Sequence, residues 1–201
     1  MHTKSLLERI AFIRVTHYGG FYDFTADLAM ADTAYTNIAL PPHTDTTYFD
    51  DPAGLQAFHM LSHEPGPGED PTALGGESLL IDGFMAASIL REFNPEAFHT
   101  LKTVPLPWHA SGNEGIAITP EHTYPVFEVT DDQKLHRIRW NNDDRGVVPF
   151  HPEFGPRAWY GAATKWNKLL ANGSFTFQIQ LHPGRTLSAR DSTISPLQIA
   201  N

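Results

Sequence analysis

His43-Thr44-Asp45 is the segment of the chain best spaced for metal chemistry. On a strand, residues i and i+2 face the same side about 7 Å apart at the backbone, so an imidazole and a carboxylate can converge on one divalent ion. With a second His from another strand, such a pair makes the facial triad of a non-haem Fe(II) oxygenase. Spacing alone proves nothing: 11 His and 23 acidic residues in 201 predict about one His-x-acid match by chance. The other match, His151-Pro152-Glu153, has proline at its centre and reads as a loop. His59 and His63, on a strand and at its exit, read as hydrogen-bonded packing residues rather than ligands. Glu64, Glu69 and Asp70 fall in a Pro/Gly-rich loop and read as solvated.

The absences narrow the choice further. There is no GxSxG elbow, GxxxxGK[ST] loop, GxGxxG turn or HExxH helix, so common hydrolase and nucleotide-binding readings lose support. With no cysteine, disulfide frameworks, thiolate metal sites and cysteine nucleophiles are excluded, and any metal must use His, Asp or Glu. A formal charge of −9 offers no basic stripe for a nucleic-acid backbone. No apolar run approaches the roughly 20 residues that span a bilayer, and the first residues lack a secretory core. The expected setting is therefore soluble and intracellular, in the cytoplasm or the mitochondrial matrix; Glu8 interrupts the basic set Lys4, Arg9 and Arg14 that a presequence would need.

The elements that must position these residues follow from periodicity and punctuation. Strands are expected at Arg9 to Thr16, Thr33 to Ala39, Gly54 to Ser62 and Ser78 to Asp82. Helices follow from Phe84 to Phe93 and from Pro95 to Leu101. Tyr124 to Val129 and Lys134 to Trp140 flank Asp131-Asp132 as a hairpin. Pro156 to Leu170 reads as a helix with Trp159, Ala162, Ala163 and Trp166 on one side, stopped by Asn172-Gly173. Phe175 to Leu181 alternates as a half-buried strand, with Phe177 expected in the core beside Trp159 and Trp166. From Ser188 onward no period is visible. Short strands with interposed helices and no βαβ rhythm predict a mainly β fold with helical insertions, a β-sandwich or jelly roll in one domain.

Several ordered blocks now add up to a family likeness: Thr16-His17-Tyr18-Gly19-Gly20-Phe21, Asp32-Thr33-Ala34-Tyr35-Thr36-Asn37, His43-Thr44-Asp45, Asp82-Gly83-Phe84, Trp108 to Gly115, Arg139 to Arg145 and Pro183-Gly184-Arg185. In these blocks the chain resembles the trimethyllysine dioxygenases, with their γ-butyrobetaine relatives and the broader taurine-dioxygenase-like group. The resemblance implies a double-stranded β-helix that uses Fe(II), 2-oxoglutarate and O2, with ascorbate as reductant, to hydroxylate trimethyllysine in carnitine synthesis. It implies His43 and Asp45 as metal ligands and Tyr18, Tyr22 and Tyr35 as a cage for the quaternary ammonium. That chemistry is sensible, because such a cation donates no hydrogen bond and is held best against aromatic faces. Tyr22 stands where the family often has Trp, a stronger cation binder. Asp32 and Asn141 match positions that hold the polar end or charge of the substrate, and Asp32 with the Asn142-Asp143-Asp144-Arg145 block favours trimethyllysine over γ-butyrobetaine. The family also suggests a homodimer.

The likeness stops after Pro183-Gly184-Arg185. Relatives continue with a hydrophobic strand, an Asp-Asn-Trp-Arg segment and a His-Gly-Arg stretch, whereas here the chain reads Ser188-Ala189-Arg190-Asp191-Ser192-Thr193 and its last His is His182. The second His ligand and the Arg expected to pair with 2-oxoglutarate are therefore missing from this sequence. Residues 1–187 are expected to form a partial catalytic domain, truncated at both ends and incomplete in its C-terminal strands, and residues 188–201 a divergent tail. The rival expectation is a catalytically silent form that at most binds a trimethylammonium ligand or a full-length partner. A jelly-roll metal isomerase or hydrolase explains neither the tyrosines nor the ordered blocks.

Overall fold

A computed structural model describes residues 3–23, 40–64, 76–111 and 115–190. Its elements are α1 (Thr3–Leu7), β1 (Leu55–His59), β2 (Glu77–Ile81), α2 (Gly83–Phe93), α3 (Pro95–Thr103), β3 (Ala110–Ser111), β4 (Ala117–Ile118), β5 (Phe127–Val129), β6 (Leu135–Ile138), α4 (Pro156–Leu170), β7 (Thr176–Gln180) and β8 (Thr186–Arg190).

The helices begin where their caps demand. Asp82 accepts a hydrogen bond from the Met85 backbone N–H at 2.9 Å and so satisfies one of the orphan donors at the start of α2. Pro95 and Pro156 open α3 and α4, where a missing N–H costs nothing. Helices α2, α3 and α4 each turn one face inward. On α4 that face is Trp159, Ala162, Ala163, Trp166 and Leu170, and on α3 it is Ala97, Phe98, Thr100 and Leu101. Phe98 stacks on Phe127 of β5 with ring centres 5.0 Å apart, and Trp166 meets Phe127 edge-on at 5.0 Å and Trp140 at 6.5 Å. This aromatic cluster joins the helices to the β5–β6 hairpin, and Trp140, just beyond β6, carries the core up to the site.

The strands form four antiparallel pairs: β1 with β8, β2 with β7, β3 with β4 and β5 with β6. In β1·β8 the register runs from Leu55↔Arg190 to His59↔Thr186, and in β2·β7 from Glu77↔Gln180 to Ile81↔Thr176. Among the described residues these pairs remain separate two-stranded sheets, so the expected mainly β fold is a mixed arrangement in which helices carry much of the core.

Three expectations are corrected. Arg9 to Thr16 is not a strand: α1 precedes it, and among the described residues no sheet lies beneath Phe12 (90 % exposed) and Val15 (77 %). Strand propensity acts through packing and pairing, and among the described residues the one β-type contact here is the Thr16–Gly19 turn, with Gly19 at φ +92°. The tail expected from Ser188 is a strand for its first three residues, because β8 finds a partner in β1. Phe177 is 63 % exposed rather than core, since no described layer covers its face of the two-stranded β2·β7 sheet. Trp159 and Trp166 are buried as expected. Thr3 Oγ1 hydrogen-bonds His59 Nδ1, and Gln180 Nε2 donates to His63 Nδ1 at 3.4 Å. Among the described residues no helix is long and apolar enough to cross a membrane.

Candidate metal centre

The site grows from the end of β6. The Thr44 N–H donates to the Trp140 carbonyl at 2.7 Å, and the Trp140 N–H donates to Thr44 Oγ1 at 2.9 Å. A buried threonine thus pins the 43–45 segment to the aromatic core. The segment is not in a regular strand as the spacing argument supposed. Its two outer side chains converge all the same, with His43 Nε2 3.3 Å from Asp45 Oδ1.

Each donor is oriented from behind. His43 Nδ1 donates to the Pro41 carbonyl at 2.8 Å, which leaves Nε2 for the Asp45 side. Asp45 Oδ2 accepts a hydrogen bond from Gln56 Nε2 on β1, which leaves Oδ1 for the His43 side. An imidazole nitrogen and a carboxylate oxygen that meet, each held through its other polar atom, fit two coordination positions of a non-haem Fe(II) ion. Among the described residues no group of three His, Cys, Asp or Glu side chains forms a complete metal site.

Electrostatics follow from this geometry. Burial would lower the pKa of His43, but the hydrogen bond and charge of Asp45, the Pro41 carbonyl and the charge of Asp144 outweigh it and raise it to about 9. Burial would raise that of Asp45, yet His43 and Gln56 hold it below the usual carboxylate range. Asp144 is pushed up to about 6, chiefly by burial and also by the charge of Asp45, although Thr47 Oγ1 donates to its Oδ2 at 2.7 Å. In the metal-free protein the centre is therefore an imidazolium–carboxylate pair with a second acid behind it, and a metal ion must displace a proton to bind.

A separate group of aromatic rings begins at the Thr16–Gly19 turn. Tyr18 and Tyr22 stack with ring centres 5.3 Å apart, and Tyr22 is 43 % exposed. His17 lies 4.0 Å from Tyr18, 5.8 Å from Tyr48 and 6.5 Å from Phe49, linking the tyrosines to the loop that follows Asp45. Asn141 is half-buried, its side-chain oxygen accepting from the Asp143 N–H at 3.0 Å. Asp32 and Tyr35 lie outside the described residues. Sequence reasoning missed Gln56 and Thr47, and saw Asp144 only as part of the Asn142 to Arg145 block rather than as a neighbour of this pair. Gln56 carried a usable signal, a lone amide in the apolar strand Leu-Gln-Ala-Phe.

Residues 3–188 match the family described as taurine catabolism dioxygenase TauD, TfdA family, and the chain belongs to that family. Within the family it is 57 % identical to trimethyllysine dioxygenase of Neurospora crassa over 92 % of this chain and 45 % of that protein. It is 40 % identical to the mitochondrial trimethyllysine dioxygenase of Homo sapiens over 92 % of this chain and 43 % of that one. The chain spans about half the length of the curated relatives it matches. Among solved structures, an asparagine oxygenase in complex with Fe(II), 3-hydroxyasparagine and succinate superposes with a TM-score of 0.55 at 11 % identity, over 80 % of this chain and 44 % of that one. That likeness concerns the fold alone.

Proposed function

We propose that this chain is the catalytic part of an Fe(II)/2-oxoglutarate-dependent dioxygenase that hydroxylates N6-trimethyllysine, an early step of carnitine synthesis. The observation that carries the reading is the His43–Asp45 pair, whose Nε2 and Oδ1 meet at 3.3 Å while Pro41 and Gln56 hold the atoms behind them. His43 and Asp45 would hold the metal. When bound, Fe(II) with 2-oxoglutarate and O2 supplies the oxidising power for C–H hydroxylation, with succinate and CO2 as the other products, and ascorbate keeps the metal reduced.

The chain's own residues bind and aim the substrate. A trimethylammonium group is attracted to aromatic faces, which the stacked Tyr18–Tyr22 pair offers at its exposed end and Tyr35 would extend. Asp32 and Asn141 would hold the polar end or charge, and such two-ended anchoring sets which C–H bond faces the metal. The closed double-stranded β-helix of the family is the proposed frame. Residues 1–187, continued by β8 to Arg190, form its catalytic domain, and residues beyond form a divergent tail. The 57 % and 40 % identities to trimethyllysine dioxygenases support this substrate, and the mitochondrial relative supports the mitochondrial matrix, with the cytoplasm as the alternative. A homodimer is the proposed assembly.

A second reading is a catalytically silent form that binds a trimethylammonium ligand or a full-length partner. It is favoured by a donor set of two among the described residues. One experiment separates the two readings. The purified chain is incubated with trimethyllysine, Fe(II), 2-oxoglutarate and ascorbate, and product carrying one added oxygen is sought by mass spectrometry beside Asp45→Ala. Product that vanishes in Asp45→Ala supports the enzyme; no product from folded protein leaves the silent form.

A further inference from the structure

Arg139 is fully buried yet charged, a combination that persists only when its donors are satisfied. Here four hydrogen bonds engage all three of its nitrogens. Nε donates to Glu128 Oε1 at 2.6 Å, Nη1 to the carbonyls of Thr47 at 2.8 Å and Phe49 at 2.6 Å, and Nη2 to that of Asp50 at 2.8 Å. Its guanidinium carbon also lies 4.0 Å from the centre of the Tyr124 ring. Only one acceptor is a side chain of opposite charge. The other three are backbone carbonyls of one turn, which begins directly after Asp45.

The turn needs holding. Thr46, next to Asp45, has φ +54°, a left-handed conformation that a β-branched residue adopts only where its surroundings over-determine it. The chain then bends sharply enough for Phe49 N–H to reach the Thr46 carbonyl at 3.1 Å. One planar guanidinium gathering three carbonyls over this bend fixes both of its ends. Upstream lie Asp45 and His43; on the turn itself, Tyr48 and Phe49 place their rings against His17, which packs on Tyr18.

We propose that Arg139 is a positioning residue that aligns the metal-binding pair with these aromatic rings by setting the 46–50 turn. The inference rests on the functional reading above, since what the turn positions is the proposed metal and ammonium machinery. Lysine at 139 keeps the charge but brings a point donor in place of a planar fork, so it cannot hold three carbonyls and Glu128 at once in this geometry.

The test compares wild type, Arg139→Lys and His43→Ala on the full 201-residue chain. Mn(II) affinity is measured by electron paramagnetic resonance titration, the Gln56 side-chain amide resonances by NMR, and melting temperature by calorimetry. A positioning role predicts at least tenfold weaker Mn(II) binding in Arg139→Lys and displaced Gln56 resonances, with the Trp166 indole resonance unmoved. A lower melting temperature with wild-type Mn(II) affinity and Gln56 resonances in the folded fraction would reduce Arg139 to a structural residue and overturn the proposal. Wild-type affinity no greater than that of His43→Ala would refute the metal reading instead, and the Gln56 resonances would then decide the inference alone. If Arg139→Lys does not fold, Glu128→Ala, which removes the side-chain anchor and leaves the carbonyl contacts, is judged by the same two readouts: displaced Gln56 resonances support the proposal and unmoved ones overturn it.

Discussion

Replacing Asp45 by Asn in the metal-free chain should erase a pH-dependent part of its stability. The folded-state pKa of His43 is raised from 6.5 to about 9, so folding takes up a proton there and the resulting stabilisation is complete below about pH 6.5. It is lost as the pH rises through about 9, because the imidazolium then deprotonates in the folded state too. At 1.36 kcal/mol per pH unit, the full pair would lose about 2 kcal/mol between pH 7 and pH 9. Water screens part of this, since the Asp45 side chain is 37 % exposed although that of His43 is only 14 % exposed, which brings the expected loss to about 1 to 2 kcal/mol. Asp144, raised to about 6, is ionised throughout most of this window and contributes little to the slope. Urea unfolding of wild type and Asp45→Asn with chelator at pH 7, 8 and 9 measures the effect. Wild type should be the more stable at pH 7, with the gap narrowing by about 1 to 2 kcal/mol at pH 9. A gap constant within about 0.5 kcal/mol, or one that widens, would refute the assignment of the proton to this pair.

Three further outcomes are expected. Gln56→Leu removes the donor behind Asp45 Oδ2 and should weaken divalent-metal affinity by about 10- to 100-fold, read by Mn(II) titration, with the fold retained by circular dichroism. Gly146→Ala would set a Cβ 2.9 Å from Pro107 Cγ and 3.0 Å from the Pro107 carbonyl oxygen, to which Gly146 N–H already donates at 2.6 Å. Because backbone and a proline ring cannot give way, it should cost about 1 to 3 kcal/mol in chemical denaturation. Trp166→Ala opens the cluster of Phe127, Trp140 and Trp166 and should cost about 3 to 5 kcal/mol, lowering the melting temperature by more than any surface substitution on α4.

What could be read from the residues was local. α4 begins and ends where Pro156 and Asn172-Gly173 place it, because start and stop signals lie within a few residues of the helix they bound. The Trp159–Trp166 stripe and the β5–β6 hairpin followed for the same reason. Arg9 to Thr16 and β8 failed in opposite directions. The first has strand-forming residues and no described ladder, the second has little strand character and a partner in β1, and pairing is a property of distant chain. His43 and Asp45 do meet, as their spacing suggested, but strand parity is not the cause: they lie on a loop docked through Thr44 onto Trp140 and through Gln56 onto Asp45. Arg139 was invisible as a positioning group because its acceptors are mostly carbonyls, which every residue carries alike.

The β1·β8 ladder also orders events in time. Helices α2 and α3 adjoin in sequence, and β5 and β6 close across a short turn, so these can form within microseconds. The Leu55↔Arg190 pairing instead joins distant parts of the chain and must await a large loop closure. During synthesis at about 5–20 residues per second, β1 emerges and stands unpaired for on the order of ten seconds before β8 exists. Because β1 carries Gln56, the carboxylate of Asp45 acquires a settled orientation late in folding. Until the ladder closes, the strand that carries the Gln56 donor has no partner in β8 to fix it.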